Sequence, residues 1–171
     1  MFDIDTSNLN FSGKDMIASD ISPGTFFVLL NKEGGVHTLF QHVGKQSISS
    51  CDDSDVEKIL LLLYDLEKPA KATKLNTVYK GHVFHNFVEV YVDIQVSFTN
   101  MRYISPKAVL SEGTMFALNS RDGFMEIMTR GDDWNKFGEY VSITRGESFT
   151  FPKEIDNKVV PVDLKFIVSM K

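Results

Sequence analysis

Residues Leu110–Ile143 read LSEGTMFALNSRDGFMEIMTRGDDWNKFGEYVSI, and their pattern decides the fold class. Short apolar stretches are broken at Arg121-Asp122-Gly123 and at Gly131-Asp132-Asp133, where glycine supplies the backbone freedom a tight turn needs. The stretch reads as a β-meander: strand, turn, strand, turn, strand. Its beginning has a near-copy earlier in the chain. ISPGTFFVLLNKEG, Ile21–Gly34, aligns without gaps on LSEGTMFALNSRDG, Leu110–Gly123. Ser22/Ser111, Gly24/Gly113, Thr25/Thr114, Phe27/Phe116, Leu29/Leu118 and Gly34/Gly123 are identical, and Lys32/Arg121 and Glu33/Asp122 keep their charge. One β-hairpin built twice is expected, over 21–43 and 110–129.

Outward from the meander, strand patterns dominate. Thr25–Asn31 is nearly all apolar, as a strand covered on both faces would be. Lys32-Glu33-Gly34-Gly35 is a turn, and Val36, Thr38 and Phe40 then alternate with His37, Leu39 and Gln41. Thr77–Phe98 reads as a hairpin turning at His85-Asn86. In its second arm Val88, Val90, Val92, Ile94, Val96 and Phe98 share one face against Glu89, Tyr91, Asp93, Gln95 and Ser97. Val160, Val162, Leu164, Phe166, Val168 and Met170 close the chain in the same way. One α-helix is expected at about 53–67. Asp52-Asp53-Ser54-Asp55 offers capping oxygens and negative charge, and Val56, Ile59, Leu60, Leu63 and Leu66 fall on one helical face. Lys68 and Pro69 would end it. The fold expected is mainly β: an antiparallel sandwich or barrel of eight to ten strands.

A chain of 171 residues with 43% hydrophobic and 12% aromatic content suits one domain with a core of its own, or two very small ones that share a core. Residues 1–20 are polar, with scattered apolar side chains. They read as an arm, paired either with a neighbouring subunit's sheet edge or with its own domain. Residues 21–171 form the single β-rich domain, any subdomain boundary falling near 70–76. The single Cys51 excludes an internal disulfide. A net charge of −5 argues against duplex DNA, which needs clustered basic residues to displace phosphate counterions. Neither a signal peptide nor a membrane-spanning run is legible.

No catalytic or cofactor signature stands out, and an enzyme is the minority reading. The sequence contains no phosphate-binding glycine loop of Walker or Rossmann spacing and no Gly-x-Ser-x-Gly elbow. His82-x-x-His85, His37 and His42 lack the converging partners that zinc requires and read as edge histidines, so no metal is expected. Cys51 has Asp52, Asp53 and Asp55 beside it, which oppose a thiolate. Those acids also lack the glycine and the bidentate glutamate of a calcium loop. Arg130-Gly131-Asp132 is explained by its turn. Lys68, Lys71, Lys74, Lys80 and Arg102, with Tyr79, Phe84, Phe87 and Tyr91, would suit a single-stranded nucleic-acid groove, or a solvated connector followed by core aromatics. Trp134, Phe137 and Tyr140 follow the Asp132-Asp133 turn and either pin that loop to the core or anchor a protein interface. These residues, with Lys32 and Glu33 in the duplicated turn, are the candidate protein-contact residues.

The segment Gly131-Asp132-Asp133-Trp134 through Phe137-Gly138-Glu139-Tyr140-Val141 resembles β-meander segments of bacteriophage tail, fibre and capsid-decorating proteins. The likeness covers about thirty residues, with the hairpin echo at 21–43 beside it. It implies a non-enzymatic virion component that assembles with copies of itself or with other virion subunits, in the virion or the host cytoplasm. The alternatives are a small phage or bacterial regulator that binds and inhibits a host protein, and a small β-barrel that binds single-stranded nucleic acid.

Overall fold

The structure, a computed structural model, describes residues 2–6, 12–43, 56–67, 74–97, 115–119, 125–130, 140–144, 146–149 and 159–171. These residues form thirteen strands and no α-helix. The first six strands are β1 (Phe2–Asp5), β2 (Lys14–Ile17), β3 (Phe26–Leu30), β4 (Val36–Val43), β5 (Val56–Asp65) and β6 (Lys74–Tyr79). They are followed by β7 (Val83–Ser97), β8 (Met115–Asn119), β9 (Met125–Arg130) and β10 (Tyr140–Ser142). The last are β11 (Glu147–Phe149), β12 (Val159–Pro161) and β13 (Asp163–Met170). A single 3-10 turn, Ala18–Asp20, follows β2.

The strands form two sheets. One has the order β1-β13-β7-β3-β4-β5-β6, with β2 also on β7; the other has the order β11-β10-β9-β8-β12. Every pairing is antiparallel except that of β1 with β13, so the larger sheet is mixed. The mainly β expectation therefore holds. The described parts of the N-terminal arm pair within their own chain: β1 lies along β13, and β2 lies along the first part of β7.

The duplicated hairpin is present in both copies. β3 and β8 cover corresponding residues, and β4 and β9 begin at corresponding residues, Val36 and Met125. The repetition continues into the topology. In each sheet four consecutive strands form a meander, and the next strand returns to the outer side of the first. The segment β3 to β7 takes the spatial order β7-β3-β4-β5-β6, and β8 to β12 takes the order β12-β8-β9-β10-β11. This is a Greek key extended by one strand, built twice in tandem.

The expected helix at 53–67 is overturned, since Val56–Asp65 is strand β5. It pairs with β4 on one edge and β6 on the other, which satisfies its backbone without helical bonds. Its side chains divide between two cores. Leu61 and Leu63 join one cluster and Leu60 the other, so the apolar run reflects a strand buried on both faces. The proposed caps Asp52, Asp53 and Asp55 lie outside the described residues.

The turn expected at His85-Asn86 is likewise corrected. Chain reversal occurs at Lys80-Gly81, with Gly81 at φ 84°, while His85 and Asn86 lie inside β7. There the pairing with β2 shifts register between Lys14 and Met16, a β-bulge, with Asn86 at φ 55°. A bulge and a turn both demand a residue that tolerates the left-handed region, and asparagine serves either. Moreover, β6 and β7 do not pair as a hairpin.

The larger sheet curls. Three strands separate β6 from β7, which in a flat sheet at ~4.8 Å per step would place them roughly 19 Å apart. Only Lys80, Gly81 and His82 connect them, a link that reaches about 15 Å at most. Register shifts in the β3/β4, β4/β5 and β5/β6 pairings supply the bending. Inside the curl Phe27 packs with Phe40, Phe84 and Phe87 at centroid distances of 5.5, 5.4 and 4.7 Å, closed by Ala18, Ile21, Leu60 and Val78.

The opposite face carries Val28, Leu39, Val43, Leu61, Leu63, Val90, Leu164, Phe166 and Val168, and against it lie Ile143 and Val162. Ile143 follows β10 of the second sheet, and buried Gln41 donates from Nε2 to its carbonyl at 2.9 Å. Val162 is the single residue between β12 and β13, where the chain passes from one sheet to the other. Through these two residues, each beside a strand of the second sheet, that half of the chain reaches the first sheet's core.

Candidate functional site

The turn between β3 and β4 forms one wall of an open hollow. Asn31 organises that turn. Its Oδ1 accepts the Glu33 and Gly35 backbone N–H groups at 3.0 and 2.9 Å, and its own N–H donates to the Gly35 carbonyl at 2.8 Å. Gly34, at φ 85°, takes the left-handed position the reversal requires. The hollow, about 550 Å³, is lined by Leu30, Asn31, Lys32, Glu33, His37, Leu66, Glu67 and Asn86. The predicted contact residues Lys32 and Glu33 are thus exposed on its rim.

At this wall His37, Asp65 and Glu67 converge. One ligand-capable atom from each lies within 4.8 Å of the others, with His37 and Asp65 half-buried and Glu67 exposed. Two irregularities of the sheet put them there. In the β3/β4 ladder Leu29 pairs with Thr38 and Leu30 with Val36, which leaves His37 as the extra residue of a bulge. The bulge is also visible in burial: Val36 and Leu39, three apart, pack against the same core. Beyond the end of β5 the Leu66 N–H donates to the His37 carbonyl at 2.9 Å, and the Glu67 N–H donates to Asp65 Oδ1 at 2.9 Å. These bonds hold Asp65 and Glu67 on either side of a residue tied directly to His37.

Across the hollow stands Asn86, the only non-glycine residue at positive φ among the described residues. Two bulges, one in β4 and one in β7, therefore open onto the same space. Bulges commonly redirect a side chain at a site.

The sequence did not single out this group. In the sequence His37 has no close-spaced Cys or His partner, and a helix over 53–67 sets Asp65 and Glu67 on different sides. Residues two apart point to different sides of a helix, whereas in the bend that ends β5 the Glu67 N–H donates to Asp65 Oδ1 and keeps the two together. The Asp-x-Glu spacing at 65–67 was the available signal, and the helical reading hid it.

The remaining predicted positions separate clearly. Asp132, Asp133, Trp134 and Phe137 lie outside the described residues, and Tyr140 begins β10, where it pairs with Arg130 and Phe149. Of the aromatics assigned to a nucleic-acid groove, Phe84 and Phe87 are core residues, whereas Tyr79 and Tyr91 are exposed. His85 meets Asp15 at 2.8 Å on the exposed side of the β2/β7 bulge, and His42 is buried. Ile17 and Val83, paired across β2 and β7, are both exposed, as is Tyr79 just before the β6–β7 turn. Among the described residues no helix is long and apolar enough to cross a membrane. Compared with known protein families, with curated proteins and with solved structures, the chain matches none.

Proposed function

We propose that the chain is a non-enzymatic assembly protein acting through protein–protein contacts, as a structural component of the bacteriophage virion kind that its meander resembles. The observation that carries this reading is the open edge at β6. Among the described residues nothing pairs with its outer side, and the strand ends at exposed Tyr79, near the exposed Ile17–Val83 pair. A strand with one free edge adds a neighbouring strand through main-chain hydrogen bonds, and adjoining apolar side chains give the contact specificity. The occupant proposed is an edge strand of a second copy, burying on the order of 800 Å² per partner.

The test is the absolute mass in solution by light scattering across a concentration series. A closed ring or a concentration-dependent oligomer is expected. Tyr79→Lys, which puts a charge on an edge strand at an exposed position, should shift the distribution towards monomer at an unchanged melting temperature. Trp134→Ala should also weaken association while the fold survives. A collapse of thermal stability would make Trp134 a core residue and remove it from the contact surface. A strict monomer at every concentration overturns the assembly reading and favours the alternative, a regulator that binds and inhibits one host protein.

A further inference from the structure

We propose that His37, Asp65 and Glu67 bind a first-row divalent transition-metal ion of the Zn2+ type at the wall of the hollow. The proposal is independent of the assembly reading. One imidazole and two carboxylates, from two separate parts of the chain, bring their ligand atoms within 4.8 Å of one another. Ligands on a tetrahedral zinc ion, with bonds of about 2.0–2.2 Å, sit roughly 3.4 Å apart. The group therefore draws together from at most 4.8 Å to bind, and Glu67, its exposed member, has the room to adjust.

The donor set narrows the choice of metal. Calcium takes six to eight oxygen ligands and magnesium keeps a shell of water, whereas an imidazole nitrogen suits zinc and its transition-metal neighbours. Asp65 remains able to bind, because among the described residues only its Oδ1 is engaged, by the Glu67 N–H, and Oδ2 is available for the ion. Three protein ligands leave at least one coordination position open, as in zinc sites that hold a water or a substrate group. That position would face the hollow, where Lys32, Glu33, Asn31 and Asn86 provide further polar contacts.

The internal duplication supplies a comparison within the molecule. In the second hairpin Met115–Asn119 pairs with Met125–Thr129 without a register shift, and Glu126, the counterpart of His37, sits opposite Leu118 in that regular ladder. The bulge belongs to the first copy alone. It falls on the residue that brings a nitrogen donor, and it turns that residue towards Asp65 and Glu67. The same hairpin closes without it, so a turn requirement does not explain it.

The test uses Zn2+ alone, titrated calorimetrically into the metal-free full chain, with His37→Gln and Glu67→Gln as variants. His85→Gln serves as the control, because His85 and Asp15 form an exposed imidazole–carboxylate pair away from the hollow. One ion per chain is expected, with affinity lowered at least about tenfold by His37→Gln and by Glu67→Gln and unchanged by His85→Gln. Glu67 is exposed and lies beyond the end of β5, so Glu67→Gln keeps the fold and decides the matter even if His37→Gln does not. The proposal is overturned if the wild-type chain shows no saturable binding up to about 1 mM Zn2+. It is equally overturned if Glu67→Gln binds as tightly as wild type, or if His85→Gln is the variant that loses the ion.

Discussion

Gly146 is held to glycine by two separate constraints. Its φ is 68°, and a Cβ there would lie 2.7 Å from the Gly24 Cα in the turn that precedes β3. Gly34 shares the positive φ, at 85°, but a Cβ on it would meet open space. Gly146→Ala should therefore cost about 2–4 kcal/mol, combining backbone strain with a clash that neither chain can easily relieve. Gly34→Ala should cost about 1 kcal/mol, from conformation alone. Chemical denaturation of both variants checks the contrast. Phe27 gives a second test at this scale. It is fully buried and touches three other phenylalanines, so Phe27→Ala should lose about 3–5 kcal/mol by the same measurement.

At the scale of elements, β5 shows where a sequence pattern misleads. Val56, Ile59, Leu60, Leu63 and Leu66 fit a helical face, and capping residues precede them. A continuous apolar run carries no period of its own, however, and a strand buried on both faces produces the same run. The neighbours β4 and β6, which come from elsewhere in the sequence, supply the hydrogen-bonding partners that decide the outcome. The strand and helix assignments predict different energetics. A helical face would bury Leu63 and Leu66 together, whereas in the structure Leu63 is buried and Leu66 is about half exposed. Leu63→Ala should cost about 2–5 kcal/mol, and Leu66→Ala within about 0.5 kcal/mol of nothing. Equal losses would favour the helix. A helix over 53–67 also hides the candidate site, because Asp65 and Glu67 flank a single backbone tie to His37 only where β5 ends in a bend beside β4. By contrast the part of β7 from Val88 on, and β13, are legible in the sequence, since strict alternation leaves only the strand period to choose from.

For the whole molecule, the tandem arrangement raises the question of whether the halves are independent. Three features join them. Gln41 donates into the second sheet at the Ile143 carbonyl, Ile143 lies in the first sheet's core, and Val162 alone separates β12 from β13. Thermal unfolding should accordingly be a single cooperative transition, with calorimetric and van't Hoff enthalpies in agreement. Two resolved transitions would show that the sheets fold separately. Gln41→Ala should lower this one transition, because it leaves a buried carbonyl without its donor, at a cost of about 1–3 kcal/mol.

What the sequence by itself determined was local. The duplicated hairpin, its Lys32–Gly35 turn and the alternating faces of β13 and of β7 from Val88 on all follow from period, charge and glycine placement among residues near one another in the chain. The tertiary structure alone decided that Val56–Asp65 is a strand, that the larger sheet curls enough for a three-residue link to join β6 to β7, and that each half follows the same five-strand order. It also decided that His37 meets Asp65 and Glu67. The physical reason is common to all four. Each depends on hydrogen bonds and buried contacts between segments far apart in sequence, and a local pattern carries no record of the partner that will complete it.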